Sequence, residues 1–139
     1  MPKTLADHRD QARAQLDDES IVAAIPALTY PYRNESLRLL ERLLPRPRKA
    51  WPRLLLFRER RVDIHTQRWS KQAVGPHVST LRPSGTRLTY VEDTREGSTR
   101  VEFGGVRFTV LDEHMAALYQ VADRAGFAID AADDPRAAN

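Results

Sequence analysis

The segment 99–110, TRVEFGGVRFTV, contains the clearest fold signal in the chain. Gly104 and Gly105 suit a two-residue hairpin turn of type I′ or II′, which needs the positive φ angles that glycine readily adopts. With that turn, four apolar side chains share one face of the hairpin as the cross-strand pairs Phe103–Val106 and Val101–Phe108. Glu102 and Arg107, which carry opposite charges, pair on the other face. Both faces therefore indicate the same antiparallel register.

A helix is predicted directly after this hairpin, with Asp112 as its N-cap and its end near Ala125. Its apolar residues recur at helical spacing and form one stripe: Met115, Leu118, Tyr119 and Ala122. Gly126 is typical of the position just after a helix end. Residues 127–129 predict a short edge strand, and the polar tail 131–139 is predicted to be disordered.

Three helices are predicted before residue 46, over residues 4–18, 20–25 and 35–44. Each begins at a residue that is typical of an N-cap: Thr4, Ser20 and Asn34. Pro26 is expected to end the second helix, because proline has no backbone N–H to donate.

The middle of the chain predicts strands. Leu54–Phe57 is an apolar run typical of a buried strand, whereas Val62–Thr66 alternates between apolar and polar residues. The dipeptide Gly75-Pro76 is expected to break the chain before two further short strands, 78–81 and 88–91.

The order of these elements predicts a single α+β domain over residues 1–130. It has N-terminal helices, an antiparallel β-meander of about five to six strands, and a C-terminal helix packed on the sheet. The chain has 139 residues, of which 41% are hydrophobic and 29% charged, and this composition suffices for one core of ordinary size.

Composition also excludes several classes of protein. The chain has no cysteine, which excludes disulfides, thiolate metal sites and cysteine nucleophiles. It has no apolar run near the roughly 20 residues of a membrane span, and no apolar N-terminal region typical of a secretory signal. We therefore predict a cytoplasmic protein without a membrane partner, and the arginine-rich, alanine-rich composition indicates a bacterial origin.

Known catalytic and cofactor motifs are absent from the sequence. It contains no GxGxxG, GxxxxGK[ST], HExxH or GxSxG segment and no EF-hand loop. The sequence accordingly predicts no cofactor, no metal and a binding protein rather than an enzyme.

Charge is distributed very unevenly. Residues 46–87 contain 11 basic and two acidic residues, whereas residues 88–139 contain five basic and 10 acidic residues. Such a basic block between neutral and acidic flanks indicates an anionic partner. Trp51 lies within it, and an aromatic ring beside phosphate-pairing cations is typical of nucleic-acid binding. The predicted binding residues are Arg46, Arg48, Lys49, Trp51, Arg53, Arg58, Arg60, Arg61, Arg68, Trp69 and Lys71.

Other interpretations of the basic block remain open at this point. Its arginines can instead form a solvated strand face or pair with the acidic C-terminal third. They can also bind an acidic protein surface, as an inhibitor, immunity protein or antitoxin would. An unpaired edge strand would in addition permit a homodimer.

The histidines permit one enzymatic alternative. His8 and His114 are predicted on exposed helix faces, whereas Asp63 and His65 share one strand face. A small metal-independent ribonuclease needs a base, an acid and a cation, which His65, His77, Lys71 and Arg68 could supply.

Overall fold

The structure, a computed structural model, describes residues 4–29, 51–68 and 73–138. These residues contain two α-helices, α1 (Leu5–Leu16) and α2 (Asp112–Arg124), together with eight strands and a short 3₁₀ helix, Pro135–Ala138. The strands are β1 (Ala23–Thr29), β2 (Trp51–Arg58), β3 (Arg61–Arg68), β4 (Ala73–Leu81), β5 (Arg87–Asp93), β6 (Ser98–Phe103), β7 (Val106–Leu111) and β8 (Ala128–Asp130). Over these residues no helix is long and apolar enough to cross a membrane.

All eight strands belong to one sheet, in the order β4-β3-β2-β1-β7-β6-β5-β8. Strands β1 to β4 and β5 to β7 form two antiparallel runs in chain order, and β1 joins the runs by pairing with β7. Strand β8 pairs parallel with β5 at one edge, and β4 forms the other. The α+β class is thus confirmed, but the sheet has more strands than the predicted five to six and is not one simple meander.

The β6–β7 hairpin has the register that the sequence predicts. Phe103 pairs with Val106, Val101 with Phe108 and Glu102 with Arg107. Gly104 and Gly105 have φ angles of 64° and 78°, in the region that favours glycine.

Two hydrophobic cores lie on opposite faces of the sheet. The larger core packs α2 against the sheet and contains Phe57, Phe103, Phe108, Met115 and Leu118. The smaller core packs α1 against β1, β2 and β4 through Ala12, Ile21, Ala24, Leu54, Leu56 and Val74. Residues Leu54–Phe57 alternate between the two cores, which explains why this predicted strand is apolar at every position.

Two breaks predicted from proline are wrong. Residues 23–25, predicted as helix, belong to β1, and Pro26 lies within that strand opposite Leu54. In the described part of β1, the residues that pair with β7 are Leu28 and Thr29, so the missing N–H of Pro26 removes no bond to β7. The dipeptide Gly75-Pro76 lies within the edge strand β4, where proline is also tolerated.

The ends of the remaining elements also differ from expectation. Leu111, not Asp112, is the N-cap of α2, and Asp112 is its first residue. In the tail predicted to be disordered, Asp134 is fully buried and Pro135–Ala138 form the 3₁₀ helix. The predicted helix 35–44 lies outside the described residues.

Candidate functional site

The predicted binding residues fall into three groups. Trp51, Arg53 and Arg58 belong to β2, Arg60 lies in the turn that follows, and Arg61 begins β3. Arg68 ends β3. Five others lie outside the described residues: Arg46, Arg48, Lys49, Trp69 and Lys71.

Strand alternation separates the described members of this set. Trp51 and Arg53 share a face of β2 with Leu55, whereas Arg58 shares the opposite face with Leu54. The indole of Trp51 is 42% exposed, and the guanidinium carbon of Arg53 lies 5.3 Å from the ring centroid. This distance is typical of a cation–π contact. We call this pair, of which Trp51 is exposed and Arg53 partly buried, the Trp51–Arg53 surface.

On the opposite face, Arg58 is the centre of an ion-pair network. Its Nη1 donates a short hydrogen bond to Asp63 Oδ2, and its Nη2 lies 2.6 Å from Asp18 Oδ2. Arg61 Nε donates to the same Asp63 oxygen at 3.2 Å. The side chains of Arg58 and Asp63 are only 11% and 10% exposed. Arg58 is thus engaged within the chain, by acidic residues outside the C-terminal third.

The carboxylates of this network are held in their charged form. Burial raises the pKa of Asp63, but the Thr80 hydrogen bond and the charges of Arg58 and Arg61 outweigh it, so that the pKa lies below its usual value. Hydrogen bonds from Ser20 and Arg58 lower the pKa of Asp18.

His65 and His77 are brought together beside this network. They lie opposite each other on β3 and β4, with ring centroids 5.4 Å apart in an edge-to-face arrangement. His65 Nδ1 lies 3.0 Å from the carbonyl oxygen of Gly75, and His77 Nε2 lies 2.8 Å from Thr80 Oγ1. The Thr80 hydroxyl in turn donates to Asp63 Oδ1 at 2.5 Å. We call these four side chains, Asp63, His65, His77 and Thr80, the histidine cluster.

Two partners in these networks, Asp18 and Thr80, are not among the residues predicted from the sequence. Asp18 is 40 residues from Arg58 in sequence, and Thr80 is 17 residues from Asp63. Asp18 reaches Arg58 from the connection between α1 and β1, and Thr80 reaches Asp63 through the pairing of β3 with β4, so no local spacing could have identified them.

The histidines predicted to be exposed are buried. His8 and His114 are 7% and 9% exposed. His8 lies one helical turn from buried Ala12, and His114 one turn from buried Leu118, so both face the sheet. Burial lowers the pKa of His114, which keeps its imidazole neutral.

A second polar network anchors the C-terminal segment. Asp134 accepts hydrogen bonds from the Tyr119 hydroxyl at 2.7 Å and from Arg136 Nε at 3.0 Å. Arg136 also donates to Asp112 and Thr99. Several carboxylates of the acidic third therefore contact Arg136, which belongs to the same third of the chain. Between the acidic third and the basic block, Arg87 Nη1 lies 4.0 Å from Asp130 Oδ2, and both side chains are exposed.

These two polar networks predict that the folded protein loses stability at acid pH. Burial raises the pKa of Asp134, but hydrogen bonds from Arg136 and Tyr119 outweigh this effect, so Asp18, Asp63 and Asp134 all have pKa values below normal when folded. The unfolded chain then binds more protons below its own aspartate pKa of about 3.9. We expect the free energy of unfolding to decrease slightly as the pH falls through about 6.5, where His114 of the unfolded chain gains a proton, and to decrease more steeply between about pH 5 and pH 2. Urea denaturation at several pH values measures this, and an unchanged free energy from pH 6 to pH 3 would contradict it.

Comparison with known proteins gives no functional assignment. No model of a known protein family matches the sequence. No curated protein matches it either. Within the described ranges, no group of three or more histidine, aspartate or glutamate side chains is placed to hold a metal ion. The function is therefore inferred from the chain's own residues.

Proposed function

We propose that the chain binds single-stranded nucleic acid through the Trp51–Arg53 surface. The observation that carries the proposal is the exposure of Trp51 at the start of β2, with the Arg53 guanidinium over its ring. An exposed indole provides a flat surface on which an unpaired base can stack, which stabilises binding by about 1–3 kcal/mol per base. Bases in a duplex are already stacked on each other, so a single strand is the preferred form.

Charge next to Trp51 supports the same partner. Arg46, Arg48 and Lys49 precede the tryptophan by two to five residues in the sequence. Arginine and lysine pair with phosphates and release counterions from the nucleic acid, so binding should weaken as salt is raised. The proposed binding residues are these three cations together with Trp51 and Arg53.

The arginines at the far end of β2 contribute differently. Arg58 forms ion pairs with Asp18 and Asp63, so its guanidinium is not available for a phosphate contact. Arg60 is exposed and Arg61 is 42% exposed, so both can add long-range attraction for an anionic strand.

Replacing Trp51 by alanine tests the proposal. We expect the affinity for a fluorescent single-stranded oligonucleotide to fall about 5- to 100-fold, which corresponds to the loss of one stacked base. Fluorescence anisotropy at about 50 mM salt measures the affinity. Trp51→Phe keeps an aromatic face and should retain most of it.

Arg53→Gln separates charge from stacking. We expect the log–log dependence of affinity on salt to become shallower by about 0.7, the value for one phosphate contact on a single strand. Arg107→Gln is the control, because Arg107 is also a strand arginine but belongs to the acidic third, where its side chain is exposed. The proposal fails if wild-type protein does not bind at low salt, or if Trp51→Ala binds as tightly as wild type. Binding to an acidic protein but not to nucleic acid would favour an inhibitor instead.

A further inference from the structure

The histidine cluster lies on the face of the sheet opposite to the Trp51–Arg53 surface. His65 shares its strand face with Asp63, since both alternate with the core residues Val62 and Ile64. His77 is half exposed and His65 is partly exposed, so solutes can reach the pair. Two imidazoles in contact on a solvated sheet face have no role in either hydrophobic core.

The hydrogen bond of His65 determines which of its two ring nitrogens carries the proton. The Gly75 carbonyl oxygen can only accept, so His65 Nδ1 carries the proton that it donates at 3.0 Å. In the neutral ring, Nε2 then holds the lone pair. A partner that orients one nitrogen in this way leaves the other able to accept a proton.

His77 is oriented by a relay from Asp63. The Thr80 hydroxyl donates its proton to Asp63 Oδ1, so its oxygen accepts from His77 Nε2–H. Asp63 Oδ1 also lies 3.7 Å from the same nitrogen. Because Nε2 is engaged in this relay, Nδ1 is the ring nitrogen from which His77 would donate a proton.

Positive charge also lies next to the cluster. Arg58 and Arg61 both contact Asp63 and balance its charge together with that of Asp18. Arg61 remains half exposed, so it can attract a phosphate toward the two imidazoles. The base, acid and cation that RNA transesterification requires thus occur on neighbouring strands.

We propose that His65 and His77 form an acid–base pair that cleaves RNA. His65 Nε2 accepts the proton of a ribose 2′-hydroxyl while that oxygen attacks the adjacent phosphorus and forms the O2′–P bond. The P–O5′ bond breaks, and His77 donates its Nδ1 proton to the departing O5′. The products are a 2′,3′-cyclic phosphate and a 5′-hydroxyl, and exchange with solvent restores both rings. This proposal rests on the proposed function in one respect, because both require the protein to bind nucleic acid.

The test measures cleavage and binding separately. An RNA oligonucleotide with a fluorophore and a quencher is incubated with wild-type protein in EDTA, and mass spectrometry identifies the ends formed. We expect 2′,3′-cyclic phosphate ends, with no cleavage of the matching DNA or 2′-O-methyl RNA. His65→Gln and His77→Gln should each lower the rate about 100- to 10,000-fold and leave the affinity for DNA unchanged. Trp51→Ala should instead weaken binding.

Two further variants separate catalysis from folding. His77→Gly leaves space for a solute, so added imidazole should restore part of the rate. Thr80 is a positioning residue, so Thr80→Val should lower the turnover rate and Thr80→Ser, which keeps the hydroxyl, should restore it. The proposal is overturned if wild-type protein leaves RNA intact, if the His65→Gln/His77→Gln double variant cleaves at the wild-type rate, or if DNA is cleaved equally well.

Discussion

Replacement of Arg58 by alanine is expected to lower the free energy of unfolding by about 3 kcal/mol. The guanidinium lies between Asp63 and Asp18, and its removal leaves Arg61 as the remaining arginine partner of the largely buried Asp63 carboxylate among the described residues. Breaking a buried ion pair from one side typically costs about 3–5 kcal/mol. We expect a loss at the lower end of this range, because Asp18 is partly exposed and Asp63 keeps its contact with Arg61.

The same variant should bind nucleic acid almost as wild type does, because Arg58 is not available for phosphate contacts. Urea denaturation measures the stability, and anisotropy below the unfolding transition measures the binding. Arg60→Ala is the matched control: it removes an exposed arginine two residues away and should change stability by less than about 0.5 kcal/mol. A stable Arg58→Ala protein that has lost binding would show that the network opens to receive the ligand.

Phe103→Ala is expected to lower the free energy of unfolding by about 4 kcal/mol. Phe103 is fully buried, and its ring centroid lies 6.3 Å from that of Phe57 and 4.9 Å from that of Phe127. It therefore joins β6, β2 and the segment after α2 in the larger core. Phenylalanine-to-alanine changes in such cores cost about 3–5 kcal/mol, because the cavity collapses only partly.

Chemical denaturation of Phe103→Ala, Phe103→Leu and Trp51→Ala gives the comparison. Leucine fills part of the cavity, so its loss should be clearly smaller than that of alanine. Trp51→Ala removes an aromatic ring that is partly exposed and should cost less than Phe103→Ala. If Phe103→Ala loses less than about 1 kcal/mol, the two antiparallel runs of the sheet do not share one cooperative core.

The sequence predicted best where short-range rules decide the structure. The β6–β7 hairpin needs only a two-glycine turn and the period of two along a strand, and its register was confirmed pair by pair. Helix α1 begins after Thr4, whose side chain and Asp7 form a reciprocal capping box. The apolar stripe of α2 contains Met115, Leu118 and Ala122, all of which are buried.

Prediction failed where distant strands compete with local preference. Pro26 is a helix stop in isolation, yet residues 23–29 pair with β2, and that pairing contributes more than the local propensity. Gly75-Pro76 is accepted because β4 is an edge strand. Each of these outcomes depends on which strand lies next to the segment, and the segment itself does not contain that information.

For the candidate sites, the sequence by itself determined which chemical groups are present. It supplied an arginine-rich block around Trp51, a histidine two residues from Asp63, and no cysteine. The tertiary structure decided which of these groups meet. It placed Trp51 and Arg58 on opposite faces of β2, buried Arg58 between two aspartates, and set His77 against His65. The physical reason is that side-chain identity is local, whereas burial, ion pairing and the alignment of two imidazoles depend on strand register between residues far apart in the chain.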